Sequence, residues 1–480
     1  MAAPGPDLVP SLRGRLHGPG TVGCSDTAPR RPPLLWHRPL STPRPRRDEE
    51  AGARAGTETT MPTPETAGPW TVRGIDRDEL PDVAEVVLAA MIAPELPEEV
   101  GARLRHFPER NGYGRILAAV DEHGAIVGST RSHAFDMALP GGVRRVAGVT
   151  GVGVWPTRRR QGVLSALMRR QLADLRSTGE HYAALWASES GIYGRYGFGL
   201  AVTEVQGAID LHHAGLRADA PRDPGLWVEL ERPEAARAPV EEVFGRVART
   251  QLGRFARDQA WWDRLLKDDP AERGGKGPLR VSVVQGADGP VGYALHRAER
   301  RWSVHGSRSV LHVQEAVALT PAAHTALYEH LFSFDLITRV EFDWLAQDDP
   351  LEHLVLDHQS LETTLVDSLW VRLVDVPAAL SERTYAVPFE AVLEVTDRYA
   401  PWNAGTWHVK GGPDGAQVDT TEAAPDVSLD VSHLGAAHLG QRPLLGPLRA
   451  GLISEHTPGT VTRLDTALSR SDPAICGLIF

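Results

Sequence analysis

The chain has 480 residues, 42% hydrophobic and 24% charged, enough for about three domains with a substantial core. Its 51 Lys and Arg against 62 Asp and Glu leave a formal charge of −11, which lacks the basic footprint of a nucleic-acid binder and suits cationic partners. Two cysteines, Cys24 and Cys476, exclude a disulfide framework, a zinc knuckle or a C-x-x-C redox pair and point to a reducing compartment. No apolar run approaches the ~18 residues of a membrane helix, and no ~7–15-residue signal segment opens the chain. The expectation is a cytoplasmic protein with no membrane or nucleic-acid partner and no metal.

Residues 1–65 hold 12 of the 37 prolines, nine arginines and no lysine, with no hydrophobic period. Such a segment buries too little apolar surface to offset its chain entropy, so 1–66 is expected to be a disordered Pro/Arg-rich extension. Without it the chain carries about −13. From Trp70 the pattern turns regular. Trp70–Ile75 alternates as a strand, 79–91 has helical spacing, and 116–120 with 125–128 frames a polar glycine turn as a hairpin. A long strand at 143–155 breaks at Pro156. Over 162–178, Val163, Leu164, Leu167, Met168, Leu172 and Leu175 fall on one helical face. His181–Ala187 reads as a buried strand, and Gly191 opens a short turn or helix.

The plan then repeats. Val281–Gly292 mirrors Leu117–Gly128, and each is followed by a strand, a proline and a helix. Gly128 to Pro156 spans 28 positions and Gly292 to Pro321 spans 29, the spacing of a duplicated unit. The copies differ after the proline: Thr157-Arg-Arg-Arg-Gln-Gly162 in the first, Ala322-Ala-His-Thr-Ala in the second. A third region begins with strand-like Leu369–Val374, followed by Val376–Leu380, alternating runs around 391–410 and 427–431, and a leucine-rich stretch at 434–450. It ends on Cys476-Gly-Leu-Ile-Phe480.

The chemistry centres on Val152–Ser165, a strand, a basic glycine-containing turn and a helix start. The unpaired N–H groups of the first helical turn and the positive end of its dipole point one way. Arg159 and Arg160 add charge and Gly162 allows close backbone approach, which is what a pyrophosphate needs. No G-x-x-x-x-G-K-[ST] is present, and Pro156 stands where G-x-G-x-x-G would have its last glycine. The alternative is a solvated Arg-rich turn. No H-E-x-x-H, G-x-S-x-G or Cys/His nucleophile pair competes.

R-x-x-G at Arg159–Gly162 resembles the acetyl-coenzyme A loop of the GNAT acetyltransferase superfamily, with Leu164 replacing that motif's usual final Gly or Ala. The longer match, 152–162 followed by Ala184–Phe198 and Ala260-Trp-Trp-Asp-Arg264, resembles the Eis-type (enhanced intracellular survival) N-acetyltransferases. The resemblance runs from about residue 68 to the end. It implies an α/β (α+β) fold of tandem GNAT domains, the second degenerate, followed by a sterol-carrier-protein-like domain. The expected boundaries are 67–212, 213–368 and 369–480.

The resemblance also implies site residues. Backbone groups of Val152 and Val154, around Gly153, would pair with the pantetheine arm of acetyl-CoA. Arg159, Arg160, Gln161, Gly162, Val163, Leu164 and Ser165 would cradle the pyrophosphate, Ser188 and Glu189 would line the cofactor end, and the Val154 N–H would polarise the acetyl carbonyl. Tyr193 matches the family's general acid, a phenol of ordinary pKa ~10. The family's general base is the C-terminal carboxylate, here that of Phe480. Acceptors of that class are polycationic amines: aminoglycosides, polyamines or lysine side chains. Assembly as a homo-oligomer, a hexamer, is likewise implied. Two other readings stay open on the residues alone: a non-catalytic ligand- or lipid-binding regulatory protein, and an acyltransferase using other acyl donors.

Overall fold

The computed structural model describes residues 69–93, 100, 104 and 106–480; the extension expected over 1–66, with Cys24, lies outside them. The first sheet has the strand order 71–74, 116–120, 126–139, 142–154, 182–186, 369–373, 199–200. Its first four strands form an antiparallel meander. Tyr182–Trp186 then joins Gly142–Val154 in parallel, the connection being the helix Val163–Ser177. That helix buries Val163, Leu167, Met168, Leu172 and Leu175, so the 3.6-residue stripe read from the sequence is the face laid on the sheet. Gln171 is buried on the same face and reaches Thr130 Oγ1 at 3.4 Å.

The second sheet repeats the plan with strands 280–286, 289–299, 309–318 and 337–345, and with the helix Pro321–Phe332 between the parallel pair. A third sheet, 415–420, 405–412, 389–396, 427–430 and 454–455, carries the C-terminal region.

The two large sheets are welded by one ribbon. Gly199–Leu200 pairs with Val371 and Trp370, and Thr203–Asp210 pairs with Leu361–Asp367 in the same continuous register. Ala201 and Val202 N–H groups bridge the joint by bonding the Leu369 carbonyl at 2.9 and 3.0 Å. The ribbon therefore starts in the first sheet and ends in the second. The boundaries expected at 212/213 and 368/369 cut across it: Thr203–Asp210 belongs to the second sheet and Leu369–Leu373 to the first. Strand partners some 160 residues apart have no signature in local periodicity.

The third region is pinned to the first sheet by a buried ion pair, Arg372 to Asp397 at 2.5 Å, with side chains 0% and 1% exposed. Arg372 also donates to the Tyr196 carbonyl at 2.9 Å, and Asp397 accepts from the Tyr399 and Ala400 N–H groups and from Asn403 Nδ2. Every strong donor in this cluster has an acceptor, the condition under which buried charges are tolerated; removing one partner of such a pair costs about 3–5 kcal/mol.

Candidate active site

The strand Gly142–Val154 parts from its parallel neighbour. Pairing with Tyr182–Trp186 covers Val146, Ala147 and Gly148 and stops there, while the antiparallel partner on the other side continues to Val154. Residues 149–154 thus have a strand on one edge only, and their outward backbone groups face a gap in the sheet. Within the gap lies a bulge. Ser129 opposes Gly153 but Arg131 opposes Thr150, which leaves an extra residue on the long strand, and Gly151 takes φ 56° there. A Cβ at Gly151 would displace the Arg131 guanidinium, and its left-handed φ favours glycine. The bulge also resets the alternation: Ala147, Val149 and Val152 share one apolar cluster despite the odd spacing.

The two predicted acid–base residues lie on opposite faces of this gap. Tyr193, in the short helix Ser190–Tyr193, belongs to the cluster of Ala147 and Val149 under the helix Val163–Ser177. It is 6% exposed and packs edge-on against Phe198 with ring centroids 6.1 Å apart. Burial, reinforced by Tyr196 and Glu189, pushes its phenol well above the ordinary value. Phe480 packs on the other cluster, with its ring 5.2 Å from both Phe135 and Phe255. The Phe480 main-chain oxygen accepts from Thr150 Oγ1 at 2.9 Å, and Trp186 Nε1 donates to the Leu478 carbonyl at 2.8 Å. The chain's end is therefore fixed at the gap by residues on its two edges.

Near Phe480 opens a cavity of about 210 Å³ lined by Asn111, His133, Phe135, Asp136, Asp258 and Trp261 among others. His133 stacks on Phe135 at 5.1 Å and meets Trp261 edge-on at 5.4 Å. The cavity walls combine aromatic rings with Asp136 (paired with Arg145), Asp258 (which caps the helix Gln259–Leu265) and Arg257, a mixture that suits a polar guest.

The loop after the strand divides its three arginines. Arg158 pairs with Asp121 at 3.2 Å, and Arg159 donates to the Ala90 carbonyl at 3.1 Å, at the end of the helix Leu80–Met91. Arg160 is exposed and makes no hydrogen bond or ion pair among the described residues, and its φ of 63° is left-handed. For a side chain other than glycine that conformation costs about 1–2 kcal/mol, a local strain of the kind found at ligand-binding turns. Gly162 follows at φ 85° and stands at the N-cap of the helix without a side-chain cap, so the first-turn N–H groups of a 15-residue helix face outward unpaired by any cap. Gln161 is held from both sides, its Nε2 to the Thr157 carbonyl and its own carbonyl to Trp70 Nε1.

Of the remaining predicted residues, Gly153 is packed against the helix Leu80–Met91 near Val87 and Ala90, Val163 is buried and Leu164 half-buried. Ser165 turns toward the third region, where its Oγ meets the Tyr399 hydroxyl at 3.2 Å, and Arg169 stands over the Tyr399 ring at 5.0 Å. Ser188 is half-buried and Glu189 exposed. Sequence reasoning missed Thr150, Trp186 and Glu204, which hold the C-terminus. Only Glu204 left a signal, as the lone charge in Ala201-Val-Thr-Glu-Val205. Among the described residues no group of three His, Cys, Asp or Glu is arranged to hold a metal, and no helix is long and apolar enough to cross a membrane.

The comparisons with known proteins agree with this architecture. An acetyltransferase (GNAT) domain matches residues 71–201, a second acetyltransferase (GNAT) domain matches 253–373, and a sterol carrier protein domain matches 376–476. An uncharacterized N-acetyltransferase of Streptomyces avermitilis is 38% identical over 347 residues, 72% of this chain and 84% of that one. N-acetyltransferase Eis of Mycobacterium tuberculosis is 35% identical over 347 residues, 70% of this chain and 81% of that one. Among solved structures, Eis1 from Mycobacterium abscessus superposes with TM-score 0.72 at 31% identity, covering 86% of this chain and all of that one. A GCN5-related N-acetyltransferase from Anabaena variabilis reaches 0.70 at 17% identity, covering 86% of this chain and 100% of that one, and speaks to the fold alone. With two GNAT domains, a sterol-carrier-like domain and relatives of this identity over most of their length, the chain belongs to the Eis-type family of GNAT N-acetyltransferases and is an enzyme.

Proposed function

We propose that the first GNAT domain transfers the acetyl group of acetyl-CoA directly to an amine of a polycationic acceptor, such as an aminoglycoside, a polyamine or a lysine side chain. The observation that carries this reading is the gap beside residues 149–154, with the buried Tyr193 on one face and Phe480 on the other. Acetyl-CoA supplies an activated thioester. The outward N–H groups at Gly162–Ser165 with Arg160 would hold its pyrophosphate, the unpaired edge at Val152 and Val154 its pantetheine arm, and the Val154 N–H its acetyl carbonyl. Ser188 and Glu189 would border the thioester end.

Attack requires a neutral amine, so a proton must leave the acceptor ammonium. A terminal carboxylate of ordinary pKa ~3.5 is ionised at neutral pH and can take that proton directly or through a water. Thr150 occupies one lone pair of the Phe480 main-chain oxygen and fixes the direction of the group, leaving the other lone pairs available. The departing thiolate needs a proton in return. The Tyr193 phenol is protonated across the physiological range, and burial, which raises its pKa further, makes it hold that proton until the thiolate forms beside it. The aromatic cavity beside Phe480, with Asp136, Asp258 and Arg257 on its wall, gives a polar acceptor its approach.

The test is release of free coenzyme A thiol from acetyl-CoA against a panel of aminoglycosides, polyamines and lysine peptides. Release with at least one polyamine-type acceptor, lost in Tyr193→Phe, supports the proposal. Absence of release with every amine would favour the non-catalytic ligand-binding alternative, and release only with longer acyl donors would favour the other-acyl reading.

A further inference from the structure

The last seven residues run along the joint between the two large sheets, and their anchors come from both. Ile475 N–H bonds the Leu252 carbonyl at 2.9 Å. The next two N–H groups, those of Cys476 and Gly477, converge on one oxygen of Glu204, at 2.6 and 2.9 Å. Leu478 then accepts from Trp186 and Phe480 from Thr150. Gly477 has φ 59°, and successive N–H groups around such a left-handed residue form a concave nest suited to an anion.

Glu204 sits in the welding ribbon, opposite Val366, and is 0% exposed. Its second oxygen is buried without a hydrogen-bond partner. Charged and titratable neighbours are few: Arg254, 3% exposed, in the loop between the helices Pro233–Val247 and Gln259–Leu265, and the Cys476 thiol on the tail, pushed up to about 12 by burial and by Glu204 itself. The Ser368 hydroxyl, between the strands 361–367 and 369–373, is a further polar neighbour. Burial raises the Glu204 pKa against the two N–H bonds, Ser368 and Arg254, all of which favour the ionised form. A buried carboxylate is an expensive way to satisfy two amides that a glutamine oxygen would also satisfy. Its grip on Gly477, three residues and roughly 10 Å of chain before Phe480, is what makes it useful.

We infer that Glu204 is a positioning residue for acetyl transfer: by clamping the Cys476–Gly477 turn to the ribbon it sets the reach and direction of the Phe480 carboxylate. The inference rests on the proposed role of that carboxylate as base. It gives the ribbon, and through it the second GNAT domain, a part in the reaction of the first.

The experiment compares wild-type enzyme, Glu204→Ala, Glu204→Gln and wild-type carrying one extra glycine after Phe480, all full-length, with acetyl-CoA and spermine from pH 6 to 9. A misplaced base leaves reaction only to amine that has already lost its proton, so Glu204→Ala should lose about 30-fold in kcat at pH 7. That deficit should shrink by up to about tenfold per pH unit until the amine's own pKa is passed. KM for acetyl-CoA should stay within about twofold, and Glu204→Gln, which keeps an oxygen for both N–H groups, should retain kcat within about threefold. If Glu204→Ala does not fold, Glu204→Asp, which withdraws the acceptor by one methylene, takes its place with the same expected pH dependence.

Glu204→Ala with wild-type kcat and pH profile, while the glycine extension abolishes turnover, would overturn the positioning role alone. A deficit constant across pH, or one tracking loss of acetyl-CoA affinity, would overturn it in favour of a purely structural role. Full activity of the glycine-extended enzyme would instead remove the carboxylate from the mechanism, and the inference with it.

Discussion

The two GNAT units make nearly the same strand–helix step and finish it in opposite ways. In the first, the helix Val163–Ser177 begins at Gly162 with no side-chain cap, and Arg160 beside it has no partner among the described residues. In the second, Pro321–Phe332 begins directly at Thr320, whose hydroxyl accepts the Ala323 N–H at 3.1 Å. The same contrast recurs along the preceding strand. Six residues before the proline the first unit has Thr150, which holds the Phe480 main-chain oxygen. The second has Glu315 there, locked with Arg257 and Tyr293 in a buried cluster. Both units part their strands, the second pairing in parallel only as far as Val313 while its antiparallel partner continues to Ala318. They differ in the helix start, uncapped in the first and capped in the second, and in the residue at the gap.

The comparison can be broken from either side. The largest effect should come from Tyr193→Phe, which removes the proposed proton donor with little change in volume: kcat should fall by about 10²–10³-fold, with KM for acetyl-CoA unchanged, in steady-state thiol-release kinetics. Next, Glu315→Gln leaves Arg257 buried without its counter-charge, both side chains being under 10% exposed. Chemical denaturation should show a loss of about 3–5 kcal/mol, with acetyl-CoA affinity retained at temperatures where the protein is folded.

A pair of smaller substitutions sharpens the contrast at the helix starts. Arg160→Ala should raise KM for acetyl-CoA by about tenfold at low salt, an effect that fades as ionic strength screens the phosphate. Thr320→Ala, at the corresponding place in the second unit, should cost about 1 kcal/mol of stability and leave that KM where it was. The smallest effect at neutral pH belongs to His296, held to about 3 by burial, with His330 and Arg280 adding to it. Its folded pKa lies below the unfolded value near 6.5, so the unfolded chain takes the proton first. The stability His296 contributes is complete above about pH 6.5 and is lost progressively as pH falls toward 3. His296→Gln should flatten the acid limb of the unfolding profile and leave the pH dependence of acetylation unaltered.

The sequence carried the local parts of this account well. The break at Pro156, the apolar stripe of 163–175 and the 28- and 29-residue spacings are short-range patterns, and the strands and helices formed where those patterns lie. What stayed hidden depends on partners far along the chain. The ribbon pairs 199–210 with 361–373, and nothing in Thr203–Asp210 announces that it leaves its own unit. Arg159 and Arg160 read as one pair of charges, yet Arg159 donates to the Ala90 carbonyl while Arg160 makes no hydrogen bond or ion pair among the described residues. Asp268 is neutralised by Arg273 and Arg297, partners 5 and 29 residues away, while Asp269 caps the short helix after it. The apolar ending packs through Leu478 and Phe480 while Ile479 is exposed, and its clamp, Glu204, lies 272 residues before Cys476.

The most direct measurement is the stoichiometry of acetyl-CoA binding by titration calorimetry on the full-length protein, wild-type and Arg160→Glu. One uncapped and one capped helix start predict a single site per chain, weakened at least tenfold by the charge reversal. Two sites per chain, or a single site indifferent to Arg160, would contradict it.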